Sequence, residues 1–383
     1  TRYPLWLFDE EITWQARYVS GGTIVDVLDR DALVAAAREL AATTTVRGVF
    51  SWDEMLIVNT AYVAAALDLP GAGVDGVEGC RDKARNRRVL AGAGLAQPQF
   101  GFVTDQAQAV AVADRIGYPV VVKPRGLGAS IGVALAADAA EVRAAFRTAD
   151  TVSRLAAPAY EGSALIEEYL PGPEFAIDGA VVDGQYTPLY VAQKIVGMHP
   201  YFEELGHVVN PDDEMLSDSR LLASLALAHH VIDFRNGITH TEVKLTGRGP
   251  VIVEINGRLA GDFIPLLARY ASGIEPGAAA VDVAMGRPPR LPDRTRHDHV
   301  GIRFAYPPRA CVVESVSVPE PCPEDGVLAT GVLVDPGATL ELPPVGFIPR
   351  HAYVICAGRD SGECVALLEK TLSDVRLTSR PLR

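Results

Sequence analysis

Lysine is scarce in this chain. Of 35 basic residues only Lys83, Lys123, Lys194, Lys244 and Lys370 are lysines, and the rest are arginines. Such a bias fits a GC-rich coding background. A lysine that survives it marks a place where a compact ammonium suits better than a planar guanidinium. Cysteine is also sparse. The five residues, Cys80, Cys311, Cys322, Cys356 and Cys364, form no CxxC and are odd in number, which makes a reduced, cytoplasmic chain the expectation. No apolar run is long enough for a membrane span, and no basic-then-apolar leader opens the sequence. An excess of positive charge is missing too. At a net charge of −13 neither nucleic acid nor an anionic membrane is an expected partner, and an anionic ligand would need a local cationic pocket. There is no internal repeat. What is present is an ordinary globular composition, 48% hydrophobic and 22% charged over 383 residues, enough for about two to four domains.

Charged residues sit where a half-buried sheet should be. The stretch "HTEVKLTGRGPVIVEINGR", residues 240–258, reads as a β-hairpin with its turn at "TGRGP". Alternation with period two places Val243 and Leu245 on one side of the first arm and Glu242, Lys244 and Thr246 on the other. In the second arm Ile252, Glu254 and Asn256 oppose the apolar Val251, Val253 and Ile255. Gly247 opposite Val251 brings both apolar sets onto one face, so Lys244 is expected to face Glu254 and Glu242 to face Asn256. A cross-strand ion pair would account for part of this pattern. Two carboxylates and an amide oxygen are also hard donors of the kind Mg²⁺ takes alongside substrate phosphates, which directs the search to a nucleotide site.

Along the rest of the chain, "RYPLWLFDE" and "GTIVDVLD" read as strands, "DALVAAARELAA" as a helix, and "VRGVFSWDE" as a strand leading into a loop. "CRDKARNRRVLAGAGLAQPQF" is a helix closed by Gly92 or Gly94. "YPVVVKPRGLGASIGVALA" is a strand from Val120 to Lys123, a glycine loop, and a strand from Ile131 to Ala136, followed by a helix capped by Asp138. "ALIEEYLPGPEFAIDGAVVDGQYTPLYVAQKI" is a strand, a bend and two strands joined at "DG". Residues 198–211 read as irregular. Ser217 opens a helix that Gly237 stops, "GDFIPLLARYASG" is another helix, and the proline-rich "GRPPRLPDR", residues 286–294, is the best linker. A mostly β segment follows, with "GECVALLEKTLSDVR" as a last helix.

The loop "GLGASIG" is not a dinucleotide fingerprint, because a strand rather than a helix follows it, and GxxxxGK[ST] is absent. It can be a flexible turn, or a flap whose amides fold over phosphates with Lys123 beneath. The ordered set of strand–Lys123–glycine flap, "EEYLPGPEF" and "TEVKL…VIVEINGR" resembles the ATP-grasp family, most closely its carboxylate–amine ligases for amino acids, from about Cys80 to Pro265. That resemblance implies an ATP-grasp fold of α/β and α+β parts: a Rossmann-like pre-grasp domain at 1–80, a small lobe with the flap at 81–163, a large lobe at 164–293 and a β-rich C-terminal domain at 294–383.

It also implies the site. Lys83, Lys123, Ser130 and Lys194 would contact the nucleotide. Glu167, Glu168, Tyr169 and Leu170 would frame adenine, and Glu174 would hold the ribose. Glu242, Glu254 and Asn256 would hold Mg²⁺, two ions in all, with Mn²⁺ an acceptable substitute. Catalytic roles fall to Lys123, to Arg258 at the oxyanion, and to His207 as substrate contact or proton acceptor. His240, Gly261 and Asp262 complete the substrate set, and the small anionic Asp262 suggests a cationic or amine-bearing acceptor. The implied reaction joins a small-molecule carboxylate and an amine through an acyl phosphate, with a homodimer as one option for assembly. The alternatives are another ATP-grasp ligase (of D-alanine–D-alanine or purine-pathway type) or an ATP-binding protein without turnover.

Overall fold

The computed structural model describes residues 3–156, 162–291 and 296–382. Residues 292–294 of the expected linker, and the 293/294 boundary with them, lie outside these. The first layer pairs β1 (Trp6–Asp9) in parallel with β2 (Gly21–Ile24). Asp29 then caps α1 (Arg30–Thr43) by accepting from the N–H groups of Asp31 and Ala32. The expected strand at "VRGVFSWDE" makes no ladder, and the chain runs irregularly there into α2 (Ile57–Ala66) and α3 (Val74–Arg81). The helix expected from Cys80 begins at α4 (Lys83–Gly92), because Asp82 is extended and caps it through the N–H groups of Ala84 and Arg85.

The small lobe comprises β3 (Phe100–Val103), α5 (Gln106–Ile116), β4 (Val120–Pro124), β5 (Ala134–Ala136), α6 (Ala139–Ala156) and β6 (Ala164–Glu168). Its sheet order is β3-β6-β4-β5. This corrects the boundary placed at 163/164: β6 lies inside the small-lobe sheet, between β3 and β4, and the chain leaves the lobe only after it. The valines and alanines of β4 and β5 pack on Phe146 and Ala149 of α6. β5 starts later than expected because Ala129, Ser130 and Gly132 take positive φ and hold the flap in turns. At Gly132 a side chain is excluded, since a Cβ would lie 2.6 Å from Val152 and 2.9 Å from Pro124.

The large lobe follows with β7 (Glu174–Val182), β8 (Gln185–Gly197), β9 (Glu203–Asn210), α7 (Ser219–Val231), β10 (Gly237–Thr246), β11 (Gly249–Asn256), α8 (Ile264–Ser272) and α9 (Pro276–Ala284). Residues 203–210, expected to be irregular, are a strand because both neighbours supply ladders. Asp218 rather than Ser217 caps α7. The last segment gives β12 (His299–Ala305), β13 (Cys311–Ser317), β14 (Val327–Val332), β15 (Thr339–Leu340), β16 (Ala352–Gly358), α10 (Ser361–Leu372) and β17 (Arg376–Pro381). A separate C-terminal domain is not what forms. β12, β16 and β14 extend the large-lobe sheet, whose order is β11-β10-β7-β8-β9-β12-β16-β14, and only β15-β13-β17 form a sheet of their own. Among the described residues no helix is long and apolar enough to cross a membrane.

Candidate active site

The β10–β11 ribbon departs from the expected register. A two-residue turn at Gly247-Arg248 places Thr246 opposite Gly249 and Lys244 opposite Val251, and a bulge between Glu242 and Val243 then shifts the pairing. Glu242 therefore faces Glu254 directly, and His240 faces Asn256. Lys244 does not face Glu254. Its ammonium lies 3.4 Å from the Gly172 carbonyl, 3.7 Å from Glu174 and over the Tyr169 ring. The bulge brings Ile255 into the core with Val243 and Leu245, but Ile252 joins them there while Val253, expected on the apolar side, lines the cavity instead.

The two facing carboxylates open into a cavity of about 150 Å³ between the lobes. Every nucleotide, metal and substrate residue named from the sequence lines it, His207 excepted. Each carboxylate is held by a lysine. Lys83 Nζ is 2.8 Å from Glu254 and also donates to the Leu127 carbonyl in the flap at 2.5 Å. Lys194 Nζ meets Glu242 at 2.8 Å, Glu174 at 2.8 Å and Glu204 at 3.2 Å. Those three acceptors use all three ammonium protons, so Lys194 fixes the acidic wall rather than reaching for a nucleotide. Burial opposes its charge, but Glu174, Glu204 and Glu242 outweigh that and hold it well above the usual lysine range. Glu242 is held well below the carboxylate range: burial pushes it up and Lys194 more than reverses this.

Behind the ribbon, the Asp178 carboxylate accepts from His240 Nδ1 at 2.7 Å, from the Tyr190 hydroxyl at 2.6 Å and from the Ala260 N–H at 2.9 Å. His240 Nε2 lies 3.7 Å from Glu242. His240 is thus a buried support for Glu242 rather than a free substrate contact. Two opposed carboxylates, an adjacent amide and a supporting imidazole are a donor set that fits a hard divalent cation.

Glu167 is corrected as well. Its side chain is 5% exposed and paired with Arg87 at 2.7 Å and Lys123 at 2.5 Å. Burial raises its pKa, but the two cations hold it down at about 2. It cannot turn into the cavity without unpairing both.

Arg258 is oriented by a residue missed in the sequence. Its Nε donates to Glu54 at 2.6 Å, and Glu54 also binds Arg81 at 2.8 Å. Nη1 donates to the Leu259 carbonyl at 2.8 Å, while Nη2 lies beneath the flap, 3.9 Å from where a Cβ on Gly128 would stand. His207 is fully buried and out of the cavity. Its Nε2 lies 3.1 Å from Asp262 and 3.4 Å from Glu204. Asp262 is not a free anion, since Arg350 grips it with two hydrogen bonds of 2.6 and 2.8 Å. That removes the basis for expecting a cationic acceptor. Arg87, Asp178, Glu204 and Arg350 were not picked out from the sequence because their roles depend on contacts across distant segments. Only Glu204 gave a local sign, in "FEELGH".

The ATP-grasp domain family matches residues 116–265. The chain carries an ATP-grasp domain. The wider ATP-grasp fold extends over nearly the whole chain: an L-amino acid ligase from Bacillus licheniformis superposes with a TM-score of 0.78 at 20% identity, covering 98% of this chain and 92% of that one. The biotin carboxylase domain of a Hydrogenobacter thermophilus 2-oxoglutarate carboxylase, solved with MgADP and bicarbonate, superposes with a TM-score of 0.70 at 16% identity, covering 97% and 84%. By sequence the chain is similar to alanine–anticapsin ligase of Bacillus subtilis (strain 168), 28% identical over 260 residues, 63% of this chain and 54% of that protein. The chain spans about half the length of the first curated relatives it matches. Within the matched region the facing Glu242 and Glu254 line the inter-lobe cavity.

Proposed function

We propose that this protein is an ATP-dependent carboxylate–amine ligase that forms an amide between two amino-acid-like substrates and releases ADP and phosphate. The observation that carries the reading is the opposition of Glu242 and Glu254 within one cavity shared with Lys83, Lys123 and the flap. The alanine–anticapsin ligase and L-amino acid ligase similarities support it.

Glu242, Glu254 and Asn256 would hold Mg²⁺, one or two ions, with Mn²⁺ able to substitute. When bound, the metal neutralises charge on the phosphates during transfer. Lys83 and Lys123 place ammonium charge under the flap, and Ser130 of the flap lines the same cavity. Glu168, Tyr169 and Leu170 border the adenine end, and Glu174, fixed by Lys194, faces the ribose. The carboxylate substrate attacks the γ-phosphate to give an acyl phosphate. Arg258, held by Glu54, directs its remaining N–H groups at the oxygen that gains charge when the amine attacks. Gly261 leaves room for the amine beside Asp262, while His207 acts from behind the cavity wall and His240 braces Glu242 from within its lining.

The test is ADP release from ATP and Mg²⁺ with the standard L-amino acids, singly and in pairs. Release that requires a carboxylate together with an amine, with amide product of matching mass, is expected. Equal ADP release without any amino acid, or none with any pair, would overturn the reading.

A further inference from the structure

Arg350 lies outside the matched ATP-grasp region, just before β16, yet it reaches the wall of the cavity. Nη1 and Nη2 bind the two oxygens of Asp262, Nη2 also donates to the Glu204 carbonyl at 2.8 Å, and Nε donates to the Tyr306 hydroxyl at 2.9 Å. The guanidinium stands 3.8 Å from the centre of the Phe304 ring. It does not itself line the cavity, whereas Asp262 and Glu204 do. Asp262 itself opens a left-handed stretch: it and Phe263 take φ of 54° and 61°. Without a clamp the carboxylate would have little reason to stay in a costly backbone.

Asp262 and Glu204 converge on one atom, His207 Nε2. The other ring nitrogen, Nδ1, is buried with no hydrogen-bond partner among the described residues. All polar contact of the imidazole therefore passes through the edge that faces the cavity wall.

We propose that Arg350 is a positioning residue for the amine half of the reaction, clamping Asp262 so that Asp262 and His207 together take the proton of the incoming ammonium. This rests on the ligase reading above. The step balances as follows. Above the pKa of His207, with the neutral imidazole carrying its hydrogen on Nδ1, the ammonium gives one proton to the Asp262 carboxylate, which passes it to the free Nε2, 3.1 Å away. The freed lone pair attacks the acyl carbon, the C–N bond forms, and the C–O bond to phosphate breaks with its electrons on phosphate. The second nitrogen proton leaves with that phosphate.

The charged groups around His207 are Glu204 on its own strand, Lys194 opposite it on β8, Asp262 before α8, Arg350 behind Asp262, and Glu242 beyond Lys194. Burial opposes protonation of His207, but Asp262 and Glu204 outweigh it and raise its pKa. Loss of the Arg350 cation strengthens the pull of Asp262 and raises it further.

The experiment separates the two half-reactions. Hydroxylamine is largely unprotonated near neutral pH, so it traps an acyl phosphate as hydroxamate without needing a base. An amino-acid ammonium needs one. For the acid–amine pair that gives the fastest ADP release in the panel, Arg350→Met is expected to keep hydroxamate formation near the wild-type rate. Amide formation should fall by about 10–100-fold, with the acid limb of its pH profile displaced to higher pH. Arg350→Lys, which keeps a cation over Phe304 but loses the fork, gives the same split in smaller degree and carries the test should the Met variant not fold. Parallel loss of hydroxamate and amide, or no loss of amide, overturns the inference alone. A wild-type enzyme that forms no hydroxamate with any acid overturns the ligase reading and this inference with it.

Discussion

Glu167 shows how far a buried ion cluster is committed to the fold. Arg87 not only binds it but also donates to the carbonyls of Ile252 and Val253 at 2.9 and 2.6 Å, so one guanidinium joins α4, β6 and the β11 ribbon. Breaking such a pair from one side leaves buried charge uncompensated and costs about 3–5 kcal/mol. The folded pKa near 2 lies below the ordinary value of 4.5, so the stabilisation is complete above about pH 4.5 and disappears as the pH falls through 2. Glu167→Gln is therefore expected to be destabilised by about 3–5 kcal/mol at neutral pH, with the gap to wild type narrowing as the pH drops below 4.5. Urea unfolding across that range measures it, and a gap independent of pH would count against the assignment. Residue types and local order were enough to expect Glu242, Glu254, Asn256 and Lys123 in one place, and all four line the same cavity. Partners were not legible in the sequence, since Glu54 lies 204 positions from Arg258 and Arg350 lies 88 from Asp262.

At the scale of elements, alternation was enough to find the ribbon but not its register. The bulge after Glu242 and the short turn at Gly247-Arg248 are backbone choices that compensate for each other, and side-chain polarity alone is blind to them. The strand at Glu203–Asn210 was hidden for a related reason: its alternation is interrupted by Gly206, which is needed because a Cβ there would lie 2.2 Å from the Ile302 carbonyl. The hinge segment between β6 and β7, where the chain passes from the small lobe to the large one, depends on a comparable approach. Gly172 takes a φ of 121°, and a Cβ on it would stand 2.1 Å from the Leu245 carbonyl. Gly172→Ala should cost about 1–3 kcal/mol for the backbone conformation alone and push the hinge off the ribbon. A lowered melting temperature together with weaker ATP binding is expected, and unaltered ATP binding would mean that the hinge does not depend on that contact.

For the molecule as a whole, domain boundaries were the least legible feature. The proline-rich 286–291 run reads as a link to an independent unit, yet β12 pairs with β9 and carries the sheet onward to β16 and β14. Val300, Ile302, Phe304 and Ile355 are buried in the large-lobe core, each contributing about 1.5–3 kcal/mol. Their sum rivals the whole stability of a domain, about 5–15 kcal/mol. A chain ending at residue 291 is expected to be insoluble or to lack cooperative unfolding; a soluble, cooperatively melting product would show that the lobe is self-sufficient after all. Because a single sheet runs from Glu242 on β10 to β16 beside Arg350, the acidic wall of the cavity and the guanidinium that grips Asp262 stand on one scaffold, and a distortion at either end reaches the other through shared strands.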